Sequence, residues 1–485
     1  MNPFYTSYTT PFGTIPFSKI SIEHYKPAIE KGISDAQAEI DAIVADQKSP
    51  NFNNVIEALE NSGELLTKVT SAFFNLNSAE TNPEMQALAQ EISPLLSAHG
   101  NNIMLNAGLF EKVQTIYNQK DLDLTPEQKK LLENTYKSFA RNGANLNESD
   151  QERLRGIDNE LSKLSLTFGE HVLKESNAFQ MHLTEEDDLN GLPEGIKEAA
   201  AAAAKSKDLE GFVITLDYPS YIPFMTYSTR RYLREKLYKA FGSKAFAQNE
   251  NNNEETIRNL VRLRSERAKL LGFENHAAYV LEERMAKSPT KVYEFLNTIQ
   301  EKAMPFAKKE FDELTAYANK LDGIDTLQKW DSSYYAEKLK KEKFDIDDEL
   351  LRPYFQLEKV VDGVFLTANK LFGISFHKKN DIDVYHEDVV TYEVKDENDK
   401  HLAIFYADFF PRAGKRQGAW MTSFRSQKIK EGKDQRPHVS IVCNFTKPSD
   451  SKPSLLTFNE VTTLFHEFGH ALHGMLANGT YASLS

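Results

Sequence analysis

Thr457-Phe-Asn-Glu-Val-Thr-Thr-Leu-Phe-His-Glu-Phe-Gly-His-Ala-Leu-His-Gly-Met-Leu476 is the stretch whose reading decides the fold of this chain. Thr457 followed three residues later by Glu460 is a capping-box pattern, so a helix starts here. At about 100° per residue, with His466 set at 0°, His470 falls at about 40° and His473 at about −20°. Asn459 and Thr463 share that side. Val461, Leu464, Phe468, Leu472 and Met475 fall on the opposite side, so one face packs and the other looks into a polar space. His466-Glu-Phe-Gly-His470 is an H-E-x-x-H pattern. Histidines at i and i+4 stand one turn apart, about 6 Å along the axis, so both imidazoles reach one tetrahedral zinc at about 2.0–2.1 Å. Glu467 projects about 100° round from His466, beside such a metal, where a carboxylate polarises a water held there and later returns the proton. Chance occurrences of the pattern are merely solvated histidine pairs. What separates this one is the capped, amphipathic helix with its histidines opposite the apolar face. His473 reads as a supporting residue rather than a ligand.

Upstream of this helix the hydrophobic period changes to two. Val389–Lys395, a turn at Asp396-Glu-Asn-Asp399 and His401–Asp408 read as a β-hairpin. Val439-Ser-Ile-Val-Cys-Asn-Phe445 reads as a further strand, with Cys443 buried in it. A small β-sheet next to the site helix is therefore expected. Elsewhere the chain reads as helix, over 22–46, 52–72, 83–98, 125–142, 146–177, 228–246, 253–271, 288–321 and 356–372. Gly272 and Gly373 serve as C-terminal stops. Thr184-Glu-Glu-Asp-Asp188 reads as an acidic helix start, and the six alanines at 199–204 as a surface helix with little core to bury. Gly211-Phe-Val-Ile-Thr-Leu-Asp-Tyr-Pro219 reads as a short strand ended by its proline. No fixed-period repeat is visible. The fold class expected is mainly α, divided into an N-terminal helical region at 1–225 and a catalytic region at 226–485.

Composition narrows the function classes. The 485 residues carry 58 basic and 71 acidic side chains, a net charge of −13, which opposes a general nucleic-acid binder. Apolar residues at 40% and charged residues at 27% describe a globular chain, and no apolar run is long enough to span a membrane. The lone cysteine excludes an internal disulfide and favours a reducing compartment. With no signal-peptide pattern after Met1, a cytoplasmic location is expected, or a periplasmic one had a leader been removed. Twelve histidines occur in all, and those outside the helix are too scattered to suggest a second metal site. No Ser/His/Asp pattern or Gly-rich phosphate loop competes.

Phe465-His-Glu-Phe-Gly-His-Ala-Leu-His-Gly474 resembles the signature of the M3 family of zinc metallopeptidases, the group of oligopeptidase A, thimet oligopeptidase and neurolysin. Phe405-Tyr-Ala-Asp-Phe-Phe-Pro-Arg-Ala-Gly-Lys-Arg-Gln-Gly-Ala-Trp-Met421, Leu233-Arg-Glu-Lys-Leu-Tyr-Lys-Ala240 and Arg264-Ser-Glu-Arg-Ala-Lys-Leu-Leu-Gly272 are similar to the same family. Asn2-Pro-Phe4, Thr14-Ile-Pro-Phe-Ser-Lys-Ile20 and His24-Tyr-Lys-Pro-Ala28 look most like its bacterial peptidyl-dipeptidase branch. The resemblance implies a neurolysin-like, two-lobed zincin with a deep channel. It also implies a probable monomer acting on short unfolded peptides, with neither nucleic acid nor membrane as partner. In this reading His466 and His470 hold one Zn2+, Glu467 is the general base, and C-terminal dipeptides are released. Substrate backbone would pair with an edge strand, for which Gly418, Ala419 and Trp420, or the 439–444 strand, are candidates; Trp420 reads equally as core.

The resemblance also implies a third ligand, a glutamate about 25 residues beyond His470. That position falls near 495, past Ser485, and no acidic residue follows Glu467. The expectation is a truncated peptidase with weak or absent zinc and no activity by itself. An oligopeptidase A-like endopeptidase is the alternative within the enzyme class. A non-catalytic peptide-binding fragment is the alternative outside it.

Overall fold

The computed structural model describes residues 1–448 and 452–485. It is mainly α, with one small mixed sheet and two two-stranded antiparallel sheets. The strands are β1 (Met181–Leu183), β2 (Phe212–Ile214), β3 (Ser375–Lys379), β4 (Val389–Lys395), β5 (His401–Asp408), β6 (Trp420–Arg425), β7 (Lys428–Lys430), β8 (Lys433–Gln435) and β9 (His438–Val442). The expected hairpin is β4–β5, paired antiparallel with Tyr392 opposite Phe405. β9 lies parallel to β5, with Tyr406 opposite Ser440, and antiparallel to β6, giving the five-stranded order β3-β4-β5-β9-β6.

By contact density the chain forms two units. The first comprises Met1–Leu166, Val361–Cys443 and Thr463–Ser485. In it, helices Ile22–Ala45, Glu64–Ala79 and Pro83–Met104 bury Ile29, Phe73, Leu88 and Ile92 in one core with Ile404, Tyr406 and Phe424 of the sheet. A satellite core gathers Ile40, Phe52, Leu109, Phe110 and Phe139. The second unit comprises Thr167–Val360 and Asn444–Thr462. There β1 and β2 pair antiparallel, and their core combines Met181 and Ile214 with Ile196, Phe224 and Leu237.

Several expectations are corrected. The helix expected over 52–72 is broken at Asn61–Gly63, where Gly63 takes φ 69°, a left-handed conformation that favours glycine. The alanine helix, Glu194–Lys205, is not bare: Ile196, Ala200 and Ala204 are buried, because a small Cβ lets neighbouring backbone approach. The acidic run at 184–188 leads into a 3-10 turn, Glu186–Leu189, and the helix waits until after Pro193. Pro219 does not end a strand but sits in the first turn of helix Tyr218–Tyr227, where its missing N–H costs nothing. Helices Ala107–Tyr117 and Ser332–Phe344 were not anticipated.

In the second unit a buried carboxylate ties helices together. Asp331, fully buried, accepts from Arg231 Nε at 2.9 Å and Nη2 at 2.7 Å, and from Arg234 Nη2 at 3.1 Å. Burial pushes its pKa up, but the two guanidinium groups and the Gln328 N–H outweigh this and hold it below the usual carboxylate range. Asp331→Ala leaves the buried Arg234 without its counter-charge and is expected to cost about 3–5 kcal/mol. Denaturant unfolding read by Trp330 fluorescence checks this. Because the folded pKa is depressed, the wild-type advantage is full at neutral pH and shrinks as pH falls through the carboxylate range.

Candidate active site

The helix carrying the histidines spans Phe458–Met475. Its start is capped as the sequence predicts: Thr457 Oγ1 accepts from Glu460 N at 3.1 Å, and Glu460 Oε2 accepts from Thr457 N at 2.7 Å. The other carboxylate oxygen of Glu460 accepts from Thr446 N at 2.7 Å. Val461, Leu464, Phe468, Ala471 and Met475 are buried, while His466, His470 and His473 are exposed. The two faces are therefore those the periodicity predicts.

Phe468 seats the helix. Its ring lies 5.9 Å from Phe365, 5.6 Å from Phe376 on β3 and 5.7 Å from Phe405 on β5, with Phe365 and Phe376 stacked at 4.0 Å. Edge and tilted contacts of this kind favour one ring geometry over others, so the helix has a defined rotation. Nearer its end Gly474 faces β6 and β9. A Cβ there would stand 2.7 Å from Met421 Cε and 3.2 Å from Val439 Cγ2, so a larger residue would have to displace the methionine tip.

On the outer face His470 Nε2 lies 3.3 Å from His466 Nε2, the rings nearly perpendicular at 82°. Two imidazole nitrogens on one tetrahedral zinc, each about 2.05 Å from it, are separated by about 3.3–3.4 Å. The pair thus fits two of the four positions of a zinc shell, in donor type and in spacing. Among the described residues no group of three His, Cys, Asp or Glu converges on one point. His473 forms no hydrogen bond with the pair.

Glu467 is only 8% exposed, unlike the histidines on either side of it. No hydrogen bond from any described residue reaches its carboxylate. A sheltered carboxylate whose acceptor capacity is left open suits a group that must take up a proton from outside the protein.

Gly418, Ala419 and Trp420 lead into β6, and Gly418 adopts φ 104°. β6 is an edge strand, whereas β9, the other candidate for substrate pairing, lies between β5 and β6 with both sides taken. That candidate is withdrawn. The free side of β6 is partly closed by Asn75 of helix Glu64–Ala79, which donates to Ser423 O at 3.0 Å and accepts from Thr422 Oγ1 at 2.6 Å. Since Ser423 O points outward, the alternation of the strand turns the main chain of Met421 the same way. Nothing in the sequence signals Asn75, which is brought to β6 from far along the chain.

With fold and site in view, the comparisons are decisive. The model of peptidase family M3 matches residues 224–485. The chain is 39% identical to dipeptidyl carboxypeptidase of Escherichia coli K12, over 100% of this chain and 71% of that protein. It is 37% identical to oligopeptidase A of the same organism, over 98% of this chain and 71% of that protein. The chain belongs to peptidase family M3. To a probable cytosolic oligopeptidase A of Arabidopsis thaliana this M3 chain is 33% identical over 98% of its length. Peptidases of the family are zinc-dependent, which accords with the imidazole pair. Among the described residues no helix is long and apolar enough to cross a membrane.

Phe468→Ala empties the centre of the aromatic seat and is expected to cost about 3–5 kcal/mol. Trp420 lies on the same sheet, so the loss is measured by unfolding read through its fluorescence. The His466 and His470 rings should also lose their fixed separation, lowering zinc affinity in parallel.

Proposed function

We propose that this M3 chain is a zinc peptidyl-dipeptidase that removes dipeptides from the free C-termini of short peptides, with His466, His470 and Glu467 handling the metal and the water. The observation that carries the reading is the pair of Nε2 atoms 3.3 Å apart beside a sheltered glutamate to which no described residue hydrogen-bonds, on one capped helix. His466 and His470 would hold the metal through Nε2. When bound, zinc lowers the pKa of water toward neutrality and polarises a carbonyl. Glu467 accepts a proton from the attacking water at a carboxylate oxygen and returns it to the leaving amine. Its shelter strengthens that exchange, because a carboxylate screened from bulk water acts on its partner at lower effective dielectric. Met421 offers its main-chain groups on the β6 edge to an extended peptide, which orients the scissile bond by β-augmentation.

Two imidazoles fill half of a tetrahedral shell, so tight Zn2+ binding needs further donors beside His466 and His470. Turnover is tested on the zinc-loaded enzyme. There Glu467→Gln should retain zinc and peptide binding while kcat falls by about 10²–10⁴. Near-normal kcat would remove Glu467 from the role.

Identity of 37% to oligopeptidase A beside 39% to dipeptidyl carboxypeptidase supports a second reading, internal cleavage. Peptides with free and with amidated C-termini, digested and read by mass spectrometry, separate the two. Exopeptidase action should yield dipeptides from the free form and slow markedly on the amide, where a charge-assisted contact is lost. Equal rates with internal cuts would favour the endopeptidase.

A further inference from the structure

The loop between β5 and β6 is built around a buried ammonium that the reaction does not use. Lys415 is 2% exposed, and its Nζ donates to Asp408 Oδ1 at 2.6 Å, to Cys443 O at 3.1 Å and to Phe410 O. All three of its protons are thereby spent, on the end of β5, on the residue after β9 and on its own loop. Asp408, also fully buried, is further held by Arg412 Nη1 at 2.9 Å and Nη2 at 2.7 Å, and by Tyr385 OH at 2.9 Å.

The same loop is clamped from outside by the end of helix Glu64–Ala79. Arg412 Nη2 donates to Ala79 O at 2.6 Å, Thr81 N to Gly414 O at 2.8 Å and Arg416 N to Ser78 O at 3.0 Å. A Cβ on Gly414 would stand 2.4 Å from Thr81 O, so the approach demands glycine. That helix also supplies Asn75, which closes the middle of β6. The edge strand is thus fixed at its entry by the Lys415 cluster and at its middle by Asn75, leaving Ala419 and Met421 between the two anchors.

We propose that Lys415, through Asp408, is a positioning residue for peptide binding: it sets the entry of β6 so that the outward main-chain groups of Met421 meet an extended substrate in register. This rests on the reading of β6 as the substrate-pairing edge. A buried ion pair is a poor source of stability compared with apolar packing of similar volume. Three acceptors in three directions around one ammonium, by contrast, define a loop conformation sharply. Burial pushes the Lys415 pKa down to about 8, against the opposing pull of Asp408. The charged and titratable groups facing it are Asp408 on β5, Arg412 on the loop, Tyr385 from the segment before β4 and Cys443 after β9, with Glu80 beyond Arg412. Peptide binding is therefore sensitive to pH near 8, the charged form of Lys415 below it being the competent one.

The test uses zinc-loaded enzyme carrying Glu467→Gln, so that a dansyl pentapeptide with a free C-terminus is bound and not consumed. Lys415→Met keeps the length of the side chain and leaves Asp408 paired with Arg412 and Tyr385, so the fold should survive. Its peptide Kd is expected to rise about tenfold, as for one lost charge-assisted contact, with zinc affinity and thermal midpoint little changed. Affinity in the Lys415 enzyme should weaken between pH 7 and 9 and stay flat in Lys415→Met. Hydrogen exchange supplies the second readout: peptide should protect residues 419–421, and Lys415→Met should reduce that protection. Should Lys415→Met not fold, Asn75→Ala loosens the other anchor and is expected to reduce the same protection. An unprotected 419–421 segment in the Lys415 enzyme overturns both the edge-strand reading and this inference. Protection with an unchanged Kd and pH profile in Lys415→Met, or unchanged protection in Asn75→Ala, overturns the inference alone.

Discussion

Phe468 in its seat of Phe365, Phe376 and Phe405 is the contact on which the functional part of this molecule depends. A helix is a cylinder and could rotate on a flat apolar surface. A ring meeting three others at edge and tilted angles removes that freedom. Once rotation is set, His466 and His470 emerge together on the far side and Glu467 is turned inward beside them. Gly474 sets how closely the helix end approaches β6 and β9, and the capping box sets where the helix begins. Rotation, height and phase are thus each controlled by a different residue.

The buried charges follow a different logic from the aromatics. Asp331 with Arg231 and Arg234, and Asp408 with Arg412 and Lys415, are each a carboxylate surrounded by two cations and further hydrogen-bond donors. Removing a charge from water is costly, and its repayment requires nearly every polar atom to find a partner. Both clusters stand where elements distant in sequence must be joined at a fixed angle. Apolar packing alone tolerates sliding; directed hydrogen bonds do not.

Much of this was open to inspection in the sequence. The site helix, its cap, its two faces, the β4–β5 hairpin and the long helices Pro289–Asp322 and Leu357–Phe372 follow from hydrophobic period and capping chemistry, which act within a turn or two. Where the reading failed, longer-range packing won. The periodic run over 52–72 hides the left-handed glycine at 63, and the alanine composition at 199–204 points to an exposed helix although Ala200 and Ala204 are buried. The strand at β9 was recognisable, but its interior position was not, since strand order is a property of pairing and not of any one segment.

The sequence by itself determined which side chains share the site face: an H-E-x-x-H pair on an amphipathic helix fixes this, because one helical turn is a local distance. Only the tertiary structure decided that Glu467 is sheltered while its neighbouring histidines are exposed, that β6 is an edge and β9 is not, and that Asn75 and Lys415 brace that edge. Those facts depend on contacts between separate elements, in the case of Asn75 across 348 positions of the chain. Such contacts are selected by shape, burial and hydrogen-bond satisfaction over the whole fold, and no local pattern encodes them.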